Sequence, residues 1–171
     1  MNTNISVKFS IFFLLIVLIS ACTSQPTASV PCTILQQHSR CVAVSIHDDL
    51  YKNNVKMMKP APVGFGYLYI TRPYSQHRSI KSKLYIDDVL VAELGPMSFA
   101  RVKVRSGMHE IKIKTERMAD VSIPVEMDGD AFFEYQIRDH FFSSDPSIQS
   151  VSKAHAKKTM QTLDMVVSRD E

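Results

Sequence analysis

From Gly64 to Arg138 apolar and polar residues alternate along the chain, and turn residues interrupt the alternation about every ten positions, the pattern of short strands stacked into sheets. Phe65-Gly66-Tyr67-Leu68-Tyr69-Ile70-Thr71 is apolar on both faces and rich in aromatic and β-branched side chains, which predicts a central strand covered on both sides. Arg72-Pro73 ends it, because proline cannot donate to a ladder. Lys83-Leu84-Tyr85-Ile86 and Val89-Leu90-Val91-Ala92-Glu93-Leu94 flank Asp87-Asp88, a spacing that predicts a hairpin, although Asp-Gly is the stronger turn signal. Ala100, Val102 and Val104 alternate with Arg101, Lys103 and Arg105; after the turn Ser106-Gly107, Ile111 and Ile113 alternate with Glu110, Lys112 and Lys114. These are two antiparallel strands with one buried face each. Pro124 falls on the outward register of Val121 to Met127, which predicts an edge strand or bulge. Phe133, Tyr135 and Ile137 form the inward set of a closing strand after the turn Asp128-Gly129-Asp130. Upstream, Val42, Val44 and Ile46 predict a first short strand, and Lys52 to Pro62 a polar connection.

The period changes near the C-terminus. Asp145-Pro146 predicts a helix start, an acidic N-cap with proline at the first helical position. Ile148, Val151, Leu163 and Val166 then fall on one side of a helical wheel, with His155 and Thr159 interrupting the stripe. The expected fold class is therefore mainly β, an antiparallel β-sandwich with one C-terminal amphipathic helix. That helix packs on the sandwich or docks on a partner or a membrane surface.

Phe9 to Ile19 has a different character, a run of about eleven mostly apolar residues behind Lys8, shorter than the roughly 20 a bilayer-spanning helix requires. It fits the hydrophobic core of a secretory signal. Ile19-Ser20-Ala21-Cys22 resembles the bacterial lipobox, in which the cysteine is lipidated and becomes the new N-terminus. The alternative is an ordinary secretory signal with an incidental cysteine. The resemblance implies a thioether-linked diacylglycerol and an N-acyl chain on Cys22, more than the two anchors stable membrane attachment needs. Thr23 stands where an aspartate would resemble an inner-membrane retention signal, so the resemblance points to the outer membrane, with the domain facing the periplasm. Thr23 to Val30 is polar and aperiodic and reads as a tether.

With Cys22 carrying lipid, the three cysteines leave an even pair, Cys32 and Cys41, in an oxidising compartment. A structural disulfide is expected; a metal or redox pair is the alternative, though the spacing is neither CxxC nor a zinc knuckle. Cleavage after Ala21 removes only Lys8, so the formal charge of +3 falls to about +2, too weak a bias to indicate a nucleic-acid partner. About 150 residues then remain, enough for one domain with a real core. The absence of Trp and the count of 5 Gly argue against a typical lectin or a Gly-rich nucleotide site.

No nucleophile motif, phosphate loop or HExxH helix occurs, and no catalytic residue, metal ligand or cofactor is expected. His47-Asp48-Asp49 and Asp139-His140 place carboxylates beside imidazoles, and Asp128-Gly129-Asp130 offers oxygen ligands, but each reads first as an ordinary strand end or turn. The candidate contact surface is cationic: pairing through Ser106-Gly107 is expected to bring Arg101, Lys103 and Arg105 beside Lys112 and Lys114 on one side of a hairpin. Candidate partners are anionic lipid headgroups, peptidoglycan carboxylates or an acidic protein of an envelope complex. The alternative is a solvated face that discourages edge pairing.

Tyr67-Leu68-Tyr69-Ile70 running into Arg72-Pro73, the hairpin Leu84 to Val89, the turn Ser106-Gly107-Met108-His109 and the aromatic strand Phe132-Phe133-Glu134-Tyr135 resemble a PEGA-like periplasmic β-sandwich of unknown function found in small bacterial lipoproteins. Asp88 and Gly95-Pro96-Met97 depart from that pattern. The resemblance implies a fold and a location and transfers no catalytic residues. The expected organisation is 1–21 signal peptide, 22–31 tether, 32–142 sandwich and 143–171 C-terminal helix and tail, in a lipid-anchored, non-catalytic component of an envelope assembly or a module binding peptidoglycan or another envelope ligand.

Overall fold

The computed structural model describes Val42 and residues 44–169; Cys22, Cys32 and Cys41, and with them the expected signal, tether and disulfide, lie outside the described residues. The elements run α1 (Asp49–Lys56), β1 (Phe65–Arg72), β2 (Ser82–Ile86), β3 (Val89–Leu94), β4 (Ser98–Arg105), β5 (Gly107–Thr115), β6 (Val121–Met127), β7 (Ala131–Asp139), β8 (Ser144–Ser150), α2 (Lys153–Met160) and β9 (Asp164–Met165). The fold is mainly β. A five-stranded sheet has the order β8-β7-β1-β4-β9, and a four-stranded sheet the order β3-β2-β5-β6. The second is antiparallel throughout, whereas in the first β1 pairs with β7 and β4 with β9 in parallel.

Strand alternation divides the side chains between two cores. Leu68, Ile70, Val102, Val104, Phe133 and Tyr135 of the five-stranded sheet cluster with Leu84, Ile86, Ile111, Ile113 and Val125 of the four-stranded one. On the other face of the five-stranded sheet, Tyr69, Phe99 and Phe132 pack against Val55, Ala156, Met160 and Leu163, from α1, α2 and the segment after α2. The central strand β1 is thus covered on both sides, as its two-faced apolar sequence predicts. β6 is an edge strand in which Pro124 is exposed and stands opposite Glu110, a position where a sheet tolerates a residue without an N–H.

The Asp87-Asp88 turn forms as predicted, with φ of 48° and 62°. Both residues are left-handed, as a two-residue hairpin turn of type I′ requires. Local bonds offset the strain: Asp87 accepts from Glu110 N at 2.9 Å and pairs with His109 Nδ1 at 2.6 Å, and Lys112 Nζ donates to Asp88 at 2.6 Å. At Gly66 any Cβ would collide with the carbonyl of Gly129, so only glycine lets the Asp128-Gly129-Asp130 turn lie against β1.

Four expectations are corrected. The helix start at Asp145-Pro146 is instead β8, an edge strand whose residues Asp145 to Ser150 pair with Phe133 to Arg138; α2 begins later, N-capped by Ser152, whose hydroxyl accepts from His155 N at 3.2 Å. Ile148 lies on the apolar side of a helical wheel, but the segment's backbone is taken up by pairing with β7. The boundary at 142/143 consequently cuts through one sheet, since β8 and β9 belong to it. Of the first short strand, the described residues contribute only an isolated bridge from Ile46 to Val166. The connection after His47 contains the helix α1, capped by Asp48, which accepts from Tyr51 N at 2.8 Å.

Candidate partner-binding faces

The five predicted cations do not share a hairpin. β4 and β5 are consecutive but lie in different sheets, so Arg101, Lys103 and Arg105 occupy the outer face of the five-stranded sheet and Lys112 and Lys114 that of the four-stranded one. Ser106 N donates to Gly64 O at 3.0 Å and Gly107 has φ of 135°, and the chain passes there from one sheet to the other. The inward residues Val102 and Val104 therefore meet Ile111 and Ile113 across the core instead of along a shared sheet.

On the first face, register places Arg101 opposite Tyr69, Lys103 opposite Tyr67 and Arg105 opposite Phe65. The Arg101 guanidinium lies 4.5 Å from the Tyr67 ring centre and 5.7 Å from that of Tyr51, and its Nη2 donates to the Tyr51 hydroxyl at 2.7 Å. Tyr51 in turn stacks on His47 at 4.3 Å. Arg101 is thus clamped between α1 and β1 and serves packing as well as charge. Beneath it Tyr69 stacks on Phe132 at 5.2 Å, and burial pushes the Tyr69 hydroxyl up to about 12, so it stays neutral. Lys103 lies 5.5 Å over Phe65 and, with Arg105, remains exposed.

The second face is partly neutralised. Lys112 bonds Asp88 and lies 3.4 Å from Glu110; the Asp88 bond foremost holds its ammonium above the ordinary lysine value. Lys114 is different. It sits directly opposite Lys83, 5.4 Å over the Tyr85 ring and 3.6 Å from Asp120. Lys83, Lys114 and Tyr85, together with the pair Lys81–Glu93 at 3.0 Å and with Glu116, line an open groove of about 590 Å³. Like charges directly opposite one another repel, and an anion entering the groove would relieve that repulsion.

A third cluster escaped sequence reasoning. Glu134 points from β7 toward α2 with its side chain only 4 % exposed. It accepts from the Tyr74 hydroxyl at 2.7 Å and Gln136 Nε2 at 2.6 Å, and meets His155 Nε2 at 2.9 Å. Burial alone would raise its pKa, but the bonds to His155, Tyr74 and Gln136 outweigh burial and hold it below the ordinary carboxylate value. Tyr74 is pushed up to about 12, by burial first and then by its bond to this carboxylate. Four residues from the β1–β2 loop, β7 and α2 meet here, and no local motif announces them.

Arg72 is the other buried charge. Its guanidinium donates to the carbonyls of Ile80, Leu94 and His77 at 2.8, 3.2 and 3.2 Å, and burial lowers it to about 10, still charged at neutral pH. It fastens the β1–β2 loop to the sheets. The imidazole–carboxylate pairs have separate partners: Asp48 caps α1, while Asp139 bonds His77, from the β1–β2 loop, at 2.8 Å and Ser144 at 2.6 Å. Asp130 accepts from Tyr67 N at 2.9 Å, fixing the turn against β1. Among the described residues no three His, Cys, Asp or Glu side chains are arranged to hold a metal ion, and no helix is long and apolar enough to cross a membrane.

No family model matches this chain, and no solved structure does. A 90-residue stretch, 52% of the chain, is 28% identical to a protein of Acanthamoeba polyphaga mimivirus that bears the name "Putative serine/threonine-protein kinase/receptor R818"; the chain spans 6% of that protein's length. A Haemophilus influenzae protein described as uncharacterized is 28% identical over 131 residues, which cover 76% of this chain and 78% of that one.

Proposed function

We propose that this chain is a lipoprotein anchored through Cys22 to the periplasmic side of the outer membrane, acting as a non-catalytic structural or accessory component of an envelope assembly. The observation that carries this reading is the apolar run Phe9 to Ile19 ending in Ile19-Ser20-Ala21-Cys22. The two facing sheets support it, since they suit the PEGA-like β-sandwich that the sequence resembles. The outer face carrying Lys103 and Arg105 supplies a contact for a protein partner. The experiment is metabolic labelling with a palmitate analogue in cells expressing the chain or Cys22→Ala, followed by cross-linking and mass spectrometry of attached neighbours. Label and membrane fractionation that both depend on Cys22, with defined protein neighbours, are expected; an unlabelled protein released in soluble form would refute the anchor.

One observation favours a second reading, binding of an anionic envelope ligand such as peptidoglycan carboxylates. Lys83 and Lys114 face one another beside the Tyr85 ring, a cationic groove with a stacking platform. Retention on purified sacculi that falls with salt and is lost in Lys83→Glu/Lys114→Glu is the expected outcome. Retention that survives both salt and charge reversal would exclude the groove as the site.

A further inference from the structure

The β7–β8 hairpin ends in Phe141 and Phe142, 92 % and 93 % exposed, whose rings meet edge to face at 4.7 Å. His140 N donates to Ser143 O at 2.7 Å, which makes the two phenylalanines the central residues of the turn. Turns at such positions favour Gly, Asn, Asp or Pro, and neither phenylalanine has the positive φ that a special turn residue would serve. Packing does not account for them either. Two adjacent aromatic rings held in water by a rigid two-stranded stem are an apolar surface awaiting an apolar phase.

The position of the tip says which phase. β1 and β7 run in parallel and finish at the same end of the molecule, where the β1–β2 loop and the β5–β6 turn also lie; Arg117 and Met118 line one open depression with the two phenylalanines. Val42, where the described chain begins, is joined to this end by two bonds: Val42 N donates to Arg78 O at 2.8 Å, and the neighbouring His77 pairs with Asp139 at the base of the hairpin. Val42, the first described residue, therefore lies at the end that carries Phe141 and Phe142. Roughly 20 residues separate Cys22 from Val42, a reach of at most about 70 Å when extended, so a lipid on Cys22 permits this end to rest on the bilayer. Charges around the tip are mixed: Arg117 lies 3.8 Å from Glu116, and His140 lies 3.4 Å from Asp145. Such a rim suits a headgroup layer of both signs better than a strongly anionic partner.

We propose that the Phe141–Phe142 tip is a membrane-contact element whose rings enter the headgroup and upper acyl region of the bilayer, orienting the domain on its own membrane. This deepens the anchored-lipoprotein reading and rests on it for the identity of the membrane. Phenylalanine on a rigid hairpin inserts at little conformational cost, because its backbone is already ordered.

The absence of Trp makes the test direct. Phe141→Trp and Phe142→Trp are single-tryptophan reporters at exposed positions, and Met108→Trp, 65 % exposed at the β4–β5 turn at the far end of β1, is the control. Each full chain, processed in cells, is reconstituted in phosphatidylethanolamine–phosphatidylglycerol vesicles with brominated acyl chains, and acylation of Cys22 is read on the same sample by mass spectrometry. The expected result is a blue-shifted emission and roughly twofold or greater excess quenching at positions 141 and 142 over position 108. Acylated protein in which the tip reporters match the control overturns the tip proposal and leaves the anchor standing. Unacylated protein overturns the anchor, and the same fluorescence on added vesicles then decides the tip alone: quenching supports it, and its absence overturns it.

Discussion

Glu134 tests whether the helix-covered side of the five-stranded sheet is organised by charge. Replacing it with glutamine keeps the shape and an oxygen for the Tyr74 hydroxyl, but puts an amide in place of one carboxylate oxygen and removes the charge that strengthens all three bonds. Hydrogen bonds to a charged group contribute about 1.5–3 kcal/mol each, and a neutral acceptor retains part of that, so Glu134→Gln should cost about 1.5–3 kcal/mol in total at pH 7. The carboxyl pKa is lowered in the folded protein from an ordinary value of 4.5. Its stabilising effect is therefore fully present above that value and is lost as pH falls through the folded-state pKa, because the unfolded chain then binds the proton more readily. Urea unfolding followed by circular dichroism, on the parent and Glu134→Gln from pH 7 to pH 3, should show the gap between them closing with acid. A gap that is constant across this range would refute the charge argument, and one near zero at pH 7 would show the cluster to be without energetic consequence.

Gly66→Ala forces a methyl group into the Gly129 carbonyl and onto Met127 Cε, and should cost about 2–4 kcal/mol, read as a lowered thermal midpoint. Arg72→Met keeps the aliphatic stem and strips the donors from three carbonyls, of which that of Leu94 is held within the core; the expected loss is about 2–4 kcal/mol in urea, with Arg72→Lys recovering only part of it. Unchanged unfolding in Arg72→Met would mean that water replaces the guanidinium without loss. For the cysteines, thiol titration of the denatured, unreduced protein should find Cys32 and Cys41 unreactive, and reduction should remove about 2–3 kcal/mol of stability; two free thiols would refute the bond.

Much of the strand layout was legible in the sequence. Alternation alone assigns Val102 and Val104, Ile111 and Ile113, and Phe133 and Tyr135 to buried faces, because a strand's side chains switch sides at every residue whatever the strand pairs with. Pro124 marks an edge and Asp87-Asp88 a turn through backbone chemistry that acts within a few residues. Partnership is another matter. A strand with one apolar face is satisfied equally by a hairpin neighbour or by the opposite sheet, so nothing local distinguishes a β4–β5 hairpin from the passage between sheets that occurs. The parallel pairing of β1 with β7, about sixty residues away, and the turning of Ser144–Ser150 into an edge strand were likewise decided by which exposed sheet edge lay within reach.

The same division governs the surfaces. Local alternation suffices to turn Arg101, Lys103 and Arg105 away from the core, and Lys112 and Lys114 with them. Long-range strand order places them on opposite faces, clamps Arg101 between Tyr51 and Tyr67, sets Lys83 beside Lys114, and gathers Tyr74, Gln136 and His155 around Glu134. The physical reason is range: side-chain periodicity and turn geometry are set by neighbours in the chain, whereas charge proximity depends on long-range strand order, which the burial of both sheets selects together.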